Sequence, residues 1–334
     1  MNREPVGKPA ACATGHIRAH SNADITVVVP TRDRPVFLAR CLAELTEARR
    51  RDGLGEVLVV DSASRSTETG AVAARFGVRH IWEPLPGASR ARNAGWQAAE
   101  TPVVAFIDDD LQMQPGWAAA IVEAFRDPAV AFVTGRVATP EEAGEQPQAF
   151  GVIEGDRART LDASTRGVFG GSANLAVRRE VLAAVGGFDE RLGPGRWLSA
   201  GEDVELLDRL VEAGWVGRYE PAAVVECEQW RDNAQRLRLA WSYGKGMGAR
   251  FAAMGRRDPA RAMRRSGEVL RLSGIATAGK ELTARAGGRP RREAFAPVAP
   301  VRPDRRSLGE PLLWRAGALT GLAAGLVMLG QDPR

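Results

Sequence analysis

The stretch VVAFIDDDLQ, residues 103–112, decides which fold and which kind of site the sequence predicts. An apolar run typical of a buried strand leads directly into three adjacent carboxylates, Asp108, Asp109 and Asp110. Carboxylates this close repel each other, and they ionise together only when a counter-charge lies nearby. A divalent cation such as Mg²⁺ or Mn²⁺, which prefers oxygen ligands and substrate phosphates, would supply that charge. The stretch therefore predicts a metal-assisted site at the end of a strand.

Two earlier strands also end in polar side chains. DITVVVPTRDRP is an apolar run that reaches Pro30, Thr31 and Arg32, and EVLVVDSAS ends at Asp61 and its neighbours. Helical segments separate these strands, which predicts an α/β fold with a mostly parallel central sheet flanked by helices. Ligands of open α/β sheets bind beyond the carboxyl ends of the strands. We therefore expect the polar strand ends to meet in one site.

Length and composition set the broad class. The chain has 334 residues, of which 44% are hydrophobic, enough for a large core in one or two domains. Its three cysteines, Cys12, Cys41 and Cys227, form no CxxC pair, which indicates a reducing, cytoplasmic setting. The N-terminus lacks the apolar segment of a secretory signal. We interpret residues 1–23 as a disordered tail.

The C-terminal part of the chain is strongly basic. Residues 231–334 carry 21 Lys and Arg against 8 Asp and Glu, whereas the other residues carry 25 against 33. Such a segment suits phosphates, nucleic acid or an anionic membrane surface, or is simply a solvated surface. We interpret residues 232–287 as a basic helical extension and residues 288–310 as a Pro/Arg-rich linker.

Residues 311–330 are predicted to form an apolar C-terminal helix. Its uncharged run is shorter than the roughly 20 apolar residues that a spanning helix needs. Two alternatives stay open: a helix on the inner membrane surface, making the protein membrane-associated, or a helix docked on the catalytic domain.

Two common phosphate-binding motifs are absent from the sequence. No GxGxxG follows the first strand, and no GxxxxGK[ST] occurs. The phosphates of a ligand would then be held by metal and basic side chains rather than by a glycine-rich loop.

Six motif-like segments follow one another along the chain: VVVPTRDRP, VLVVDSAS, GASRARNAGWQAA, VAFIDDD, GSANLAVRREVLAAVGGFDE and GEDVELLDRLVEAGW. Together they resemble the family 2 glycosyltransferases of the GT-A fold, the nucleotide-diphospho-sugar transferase fold. The resemblance implies a catalytic domain over residues 24–231 with a helical C-terminal extension. It also implies an inverting, metal-dependent transferase that moves a sugar from a nucleotide-sugar, with UDP favoured, to an acceptor hydroxyl.

The resemblance also assigns residues to the donor. It places the nucleotide-sugar against Pro30, Thr31, Arg32, Asp61, Arg92, Asn93, Asp108, Asp109 and Asn174. Arg90 is a near alternative to Arg92, and Asp109 is expected to be partly structural. The divalent metal, Mn²⁺ or Mg²⁺, is assigned to Asp110 and Asp108.

The GED segment is expected to supply the catalytic base. An inverting transfer needs a carboxylate that takes the proton of the acceptor hydroxyl. The resemblance assigns this role to Asp203, with Glu202 beside it. Asp203 lies at the start of a predicted helix, where the charged form is favoured, so that feature gives no reason to expect an unusually high pKa. Taken without the other motifs, GED would instead favour ordinary helix capping.

Acceptor contacts are the weakest part of the resemblance. It suggests Phe188, Asp189 and Trp197 on the acceptor side, whereas Trp230 is expected only to pack. Relatives often carry a histidine near the segment YEPAAVVECEQW, and this chain has none there. Glu226 and Glu228, which the segment contains, are candidates to take its place.

Three function classes remain at this point. The first is the glycosyltransferase, acting on a glycan, a lipid-linked or a small-molecule acceptor, with no nucleic acid as partner. The second is a nucleotidyltransferase, disfavoured because PTRDRP lacks the expected glycine-rich loop. The third is a non-catalytic protein that binds phosphates or an anionic surface through the basic C-terminal part.

Overall fold

The computed structural model describes residues 21–139, 153, 155–165, 168–227, 230–263 and 309–328. The predicted tail up to residue 20 lies outside these residues. So do the end of the basic extension, nearly all of the predicted linker, and Glu228. The first element in the described part of the chain is a short 3₁₀ helix, Asn22–Asp24.

The chain alternates between strands and helices as far as residue 125. The strands of this part are β1 Ile25–Thr31, β2 Val57–Ser62, β3 Arg79–Glu83, β4 Val103–Ile107 and β5 Leu111–Met113. The helices are α1 Pro35–Asp52, α2 Glu68–Arg75, α3 Ala88–Ala98 and α4 Trp117–Phe125.

The second part is less regular and ends in helices. Its strands are β6 Val130–Ala138, β7 Arg159–Leu161, β8 Asn174–Arg178 and β9 Val216–Cys227. Its helices are α5 Arg179–Val185, α6 Glu202–Glu212, α7 Asn233–Arg257 and α8 Gly309–Met328.

The strands form one central sheet in the order β3-β2-β1-β4-β8-β6-β9-β5, with β7 also paired to β9. The β1–β4 half is parallel, as expected from the alternation of strands and helices. The other half is mixed, because β8 runs antiparallel to β4 and β6, and β5 and β7 run antiparallel to β9. Burial alone does not encode strand direction, so the sequence could not reveal this change.

The buried strands explain where the site lies. β1, β2 and β4 are buried along their whole length, as apolar strands covered by helices on both faces are. Their register aligns Thr31 with Asp61, and β4 lies beside β1 on its other side. The polar residues that follow these strands therefore reach the same edge of the sheet.

Helix α8 packs lengthwise on α7, in the same direction. A Cβ added at Gly244 of α7 would collide with the backbone of Trp314, and one added at Gly321 of α8 would collide with that of Lys245. Small residues thus let the two backbones approach closely. Of the two alternatives for the C-terminal helix, the structure shows docking, while Leu319 and Leu326 stay exposed on its outer face.

No helix in the described ranges combines the length and the apolar character needed to cross a bilayer.

Candidate active site

The three carboxylates after β4 are neutralised by arginines. Arg34 donates from Nη1 to Asp109 Oδ1 at 2.6 Å and from Nη2 to Asp110 Oδ2 at 2.9 Å. Arg92 donates from Nη2 to Asp108 Oδ1 at 2.7 Å. The sequence led us to expect a cation as the counter-charge. In the structure this charge comes from protein side chains, so the acidic cluster does not by itself require a metal.

Asp109 has a structural role. Only 3% of it is exposed, and it accepts a hydrogen bond from the Thr31 hydroxyl at 2.6 Å besides the one from Arg34. Burial raises the pKa of Asp109 to about 7, although Arg34 and Thr31 partly oppose that rise. Its contacts tie the end of β1 to the loop after β4, and it does not line the cavity described below.

Asp110 is held in its charged form. Its Oδ2 accepts from Arg34, from the indole Nε1 of Trp230 at 2.9 Å and from Arg231 at 3.3 Å. Burial would raise the pKa of Asp110, but these three donors outweigh burial, and the pKa lies below its ordinary value. Trp230 also packs against Phe37 at 5.0 Å between ring centroids. Trp230 is therefore more than the packing residue we expected.

Arg92 connects two parts of the site. It is 3% exposed, and it donates from Nη1 to Glu202 Oε1 at 2.9 Å in addition to its contact with Asp108. Asp108 and Glu202 lie 94 residues apart in sequence, so the Arg92 guanidinium joins the end of β4 to the start of α6. Arg90, the alternative to Arg92, instead forms an ion pair with Glu190, in which Nη2 and Oε2 are 2.9 Å apart. It makes this contact outside the network of Asp108 and Glu202.

Asp203 sits beside this network without joining it. Its Oδ2 accepts from the Ser172 backbone N–H at 3.3 Å and its Oδ1 from the Val204 N–H at 2.8 Å. No ion pair to Asp203 occurs among the residues that the structure describes. Gly171 lies against it, because a Cβ at that position would stand 3.0 Å from Asp203 Oδ2.

The environment of Glu202 and Asp203 differs from our expectation. Burial raises the pKa of both carboxyls, and the charge of Asp203 adds to the rise at Glu202. The backbone N–H groups and Arg92 lower both pKa values but do not offset burial. The helix N-terminus gave no reason to expect a raised pKa at Asp203, but loss of solvation outweighs the helix dipole here.

These side chains surround one cavity of about 200 Å³. Its charged lining consists of Arg92, Asp108, Asp110, Glu202, Asp203 and Arg231. Its apolar lining includes Val137, Ile153, Val168, Tyr243, Met247 and Trp314. Residues 170–173 contribute a further side, so Gly170 and Gly171 border the cavity.

The residues assigned to the base and ribose lie at the neighbouring strand ends and do not line this cavity. Pro30 and Thr31 are buried, and Arg32 is exposed at the end of β1. Asp61 is buried at the end of β2, where its Oδ1 accepts from the Ser64 N–H at 2.8 Å. His80, to which we gave no role, places its Nε2 3.8 Å from Asp61 Oδ2.

Two predicted donor contacts are occupied by internal hydrogen bonds. Asn174 accepts from Trp117 Nε1 and donates to the carbonyls of Arg136 and Ala223, all within 2.8–2.9 Å. Asn93 bonds to the backbone of Phe188 through both its amide oxygen and its nitrogen. Neither lines the cavity, and both amide side chains already have partners within the protein.

The predicted acceptor residues also lie elsewhere. Phe188 is buried and packs edge-on against Phe106 at 5.1 Å, and Asp189 pairs with Arg191 at 2.7 Å. Trp197 is 51% exposed, and Lys245 Nζ lies 4.9 Å from its ring centroid. None of the three lines the cavity that contains Asp203.

The charge and oxygen atoms of this cavity fit a divalent cation bound together with a phosphate. Asp108 Oδ2 and Asp110 Oδ1 accept no hydrogen bond from any described residue, and both carboxylates line the cavity. Among the described residues no group of three or more His, Cys, Asp or Glu side chains could hold a metal unaided. Mg²⁺ and Mn²⁺ commonly bind to one or two carboxylates plus substrate phosphates, so the donor set suits them only in that form.

The site thus combines acidic and basic groups at the ends of sheet strands with a helix, α6, that begins with two carboxylates. A family model described as glycosyl transferase family 2 matches residues 26–186. A glycosyltransferase of Mycobacterium tuberculosis described as uncharacterized is 34% identical over 194 residues, which are 57% of this chain and 80% of the relative. The chain belongs to glycosyltransferase family 2.

Two further proteins extend the comparison. The pre-mycofactocin glycosyltransferase of M. tuberculosis is 33% identical over 213 residues, which are 61% of this chain but 43% of the relative, so the chain spans less than half of that protein. A solved mannosyltransferase from Pyrobaculum calidifontis, in complex with GDP-Man and Mn²⁺, has a TM-score of 0.62 at 20% identity, covering 91% of this chain and 88% of that one. This likeness confirms the expected GT-A fold. The family match therefore favours the first of the three function classes over the other two.

Proposed function

We propose that this protein moves a sugar from a nucleoside diphosphate donor to an acceptor hydroxyl with inversion, using Asp203 as the general base. The observation that carries the proposal is the different setting of two adjacent carboxylates. Glu202 is fixed by Arg92, whereas Asp203 faces the cavity and, within the described part of the chain, accepts hydrogen bonds only from backbone N–H groups. A base must be positioned and yet able to accept a proton, which describes Asp203.

The chemistry balances with these groups. The acceptor oxygen forms a bond to the anomeric carbon while the bond from that carbon to the diphosphate oxygen breaks. The bonding pair leaves with the diphosphate, and the acceptor proton moves to Asp203. Arg231 and Arg92 line the same cavity and bring positive charge to where negative charge grows on the leaving group.

The donor is proposed to extend from this cavity to the ends of β1 and β2. Thr31 and Asp61 align in register there, and Pro30 and Arg32 flank them, which suits binding of a base and ribose. We propose UDP as the nucleotide on the family resemblance. Because the related mannosyltransferase structure holds GDP-Man, GDP is the competitor to test beside it.

A divalent metal, Mn²⁺ or Mg²⁺, is part of the proposal. Asp108 and Asp110 would hold it through the oxygens that face the cavity. When bound, such an ion neutralises charge on the diphosphate as that group departs.

We further propose a cytoplasmic protein that contacts the inner membrane surface through the outer face of α8, where Leu319 and Leu326 are exposed. Sedimentation with anionic vesicles checks this. Binding that is unchanged in Leu319→Asp/Leu326→Asp, or equal on neutral vesicles, would count against it.

Replacing the base tests the main proposal. Asp203→Asn keeps the size and the backbone contacts but cannot take up the proton, so transfer should fall by about 10²–10⁴-fold. Calorimetric binding of UDP or GDP with Mn²⁺ should stay within a few-fold of wild type. Asp189→Asn, outside the cavity, is the matched control and should retain activity. Near wild-type transfer by Asp203→Asn would remove Asp203 from this role.

A further inference from the structure

The cavity has an apolar part that the donor does not account for. Trp314 of α8 and Tyr243 and Met247 of α7 line it, together with Val168 and Ile153. These residues are far apart in the sequence, from residue 153 to residue 314. Sugar hydroxyls and phosphates need hydrogen-bond partners when they are buried, and Val168, Ile153 and Met247 provide little or none. The Tyr243 hydroxyl and the Trp314 indole N–H are the polar groups of these five side chains, so the surface they form is mainly apolar.

The apolar part lies next to the base. Gly246 of α7 packs against the backbone of Ala200 and Gly201, which immediately precedes α6 and its two carboxylates. Tyr243, Asp203, Asp108 and Glu202 line the same cavity. Burial raises the pKa of the Tyr243 hydroxyl, Arg231 opposes that rise, and the three carboxylates add to it. A group that packs on this surface would lie where the acceptor presents its hydroxyl to Asp203.

The apolar surface is held in place by the close packing of α7 and α8. Trp314 is 8% exposed and packs with Ala318, Tyr243 and Met247 in one cluster. The backbone of α7 reaches that of Trp314 at Gly244, which leaves no space for α8 to move inward. A surface that is already in place costs little ordering on binding, so it can discriminate between ligands.

We propose that the acceptor carries its reactive hydroxyl beside an apolar group, alkyl or aryl, which packs against Trp314, Tyr243 and Met247. The inference rests on the proposed function, because it takes Asp203 as the point where the hydroxyl must arrive. It makes Trp314 a specificity-determining residue. An unmodified glycan chain is the alternative that the experiment must distinguish.

Binding of matched glucosides tests the proposal without knowledge of the natural acceptor. The protein is saturated with UDP or GDP and Mn²⁺ and titrated calorimetrically with phenyl, n-octyl and methyl β-glucoside. Burying about 60 Å² of apolar surface is enough for a roughly tenfold preference. We therefore expect the phenyl or the octyl glucoside to bind at least about tenfold more tightly than the methyl glucoside. The stronger of the two identifies an aryl or an alkyl group.

Three variants assign that preference to the surface. Trp314→Ala and Met247→Gln should each reduce the preference for the phenyl or octyl glucoside over the methyl glucoside to about threefold or less. Met247→Gln does so without leaving a cavity between α7 and α8. Leu319→Ala, on the outer face of α8, is the matched control and should keep the full preference. Thermal unfolding of each variant shows whether the two helices remain docked.

The outcomes separate this inference from the proposed function. Equal binding of the three glucosides, no detectable binding of any, or a preference that survives both Trp314→Ala and Met247→Gln overturns the inference while nucleotide binding persists. Failure of UDP and GDP to bind at all overturns the proposed function instead.

Discussion

Arg92 is the residue on which the geometry of the site most depends. It is buried between Asp108 and Glu202, which come from the two halves of the fold. The two carboxylates hold the pKa of Arg92 above its ordinary value despite burial, so the guanidinium stays charged. A buried charge of this kind is tolerated only while its partners are present.

Removing this charge should therefore be costly. Arg92→Met leaves two carboxylates without a partner, and we expect the free energy of unfolding to fall by about 3–5 kcal/mol. Adding Glu202→Gln should recover part of that loss. Arg90→Met is the control, and its more exposed ion pair should account for about 1 kcal/mol or less. Urea denaturation measures all three, and equal effects of Arg92→Met and Arg90→Met would contradict the argument.

The raised pKa of Asp203 predicts a pH profile. Only the deprotonated carboxylate accepts the proton, and a raised pKa means that a smaller fraction is deprotonated at a given acidic pH. Transfer should therefore increase with pH along a limb that lies above the ordinary range of an aspartate. The limb should be lost from the residual rate of Asp203→Asn. A rate that is flat from pH 5 to 8 in the wild-type enzyme would contradict a buried base.

At the scale of elements, the sequence identifies the strand ends better than the partners of their side chains. The apolar runs and their polar ends predict β1, β2 and β4. Asp108 and Asp110 after β4 line the cavity, whereas the polar residues at the ends of β1 and β2 lie beside it. The sequence does not show which way Asn93 and Asn174 point, because a buried amide with internal partners and one facing a sugar look alike in sequence. Arg34 was missed in favour of Arg32, two residues earlier, although three aspartates signalled a need for positive charge.

The close contact of α7 and α8 predicts opposite effects of one substitution at two glycines. At Gly321 of α8 a Cβ would meet the backbone of Lys245, so Gly321→Ala should lower the thermal unfolding midpoint. At Gly255 of α7 the nearest atom to a Cβ is that of Ala262 at 3.6 Å, an ordinary contact. Gly255→Ala should be neutral or stabilising by up to about 1 kcal/mol, from helix propensity. Two unfolding midpoints that move together would contradict close packing at Gly321.

At the scale of the whole molecule, the cavity is closed by residues that no local pattern connects. Asp203 follows α3 by more than a hundred residues, and Trp314 follows Asp203 by another hundred. The order of motifs in the family that the chain resembles predicts that Asp203 lies near α3. Nothing in the sequence predicts that Trp314 lies near Asp203, since an apolar C-terminal helix is compatible with a membrane surface as well as with a docked position.

Ligand binding should stabilise the whole fold. At about 100 times its dissociation constant, a nucleoside diphosphate adds about 2.7 kcal/mol to the free energy of unfolding. We expect Mn²⁺ to enlarge the resulting thermal shift with UDP or GDP, and Asp110→Asn to remove that enlargement. Asp162→Asn, outside the cavity, should behave like wild type. A shift that is the same with Mn²⁺ and with a chelator would show that arginines alone hold the diphosphate.

The docking of α8 beside the catalytic sheet gives the enzyme two parts that can diversify separately. The strand ends, fixed by internal pairing, are where we propose that the activated sugar binds, whereas α8, attached through small residues, brings Trp314 to the cavity. Exchanging that helix between homologues is thus a route to new products from the same donor.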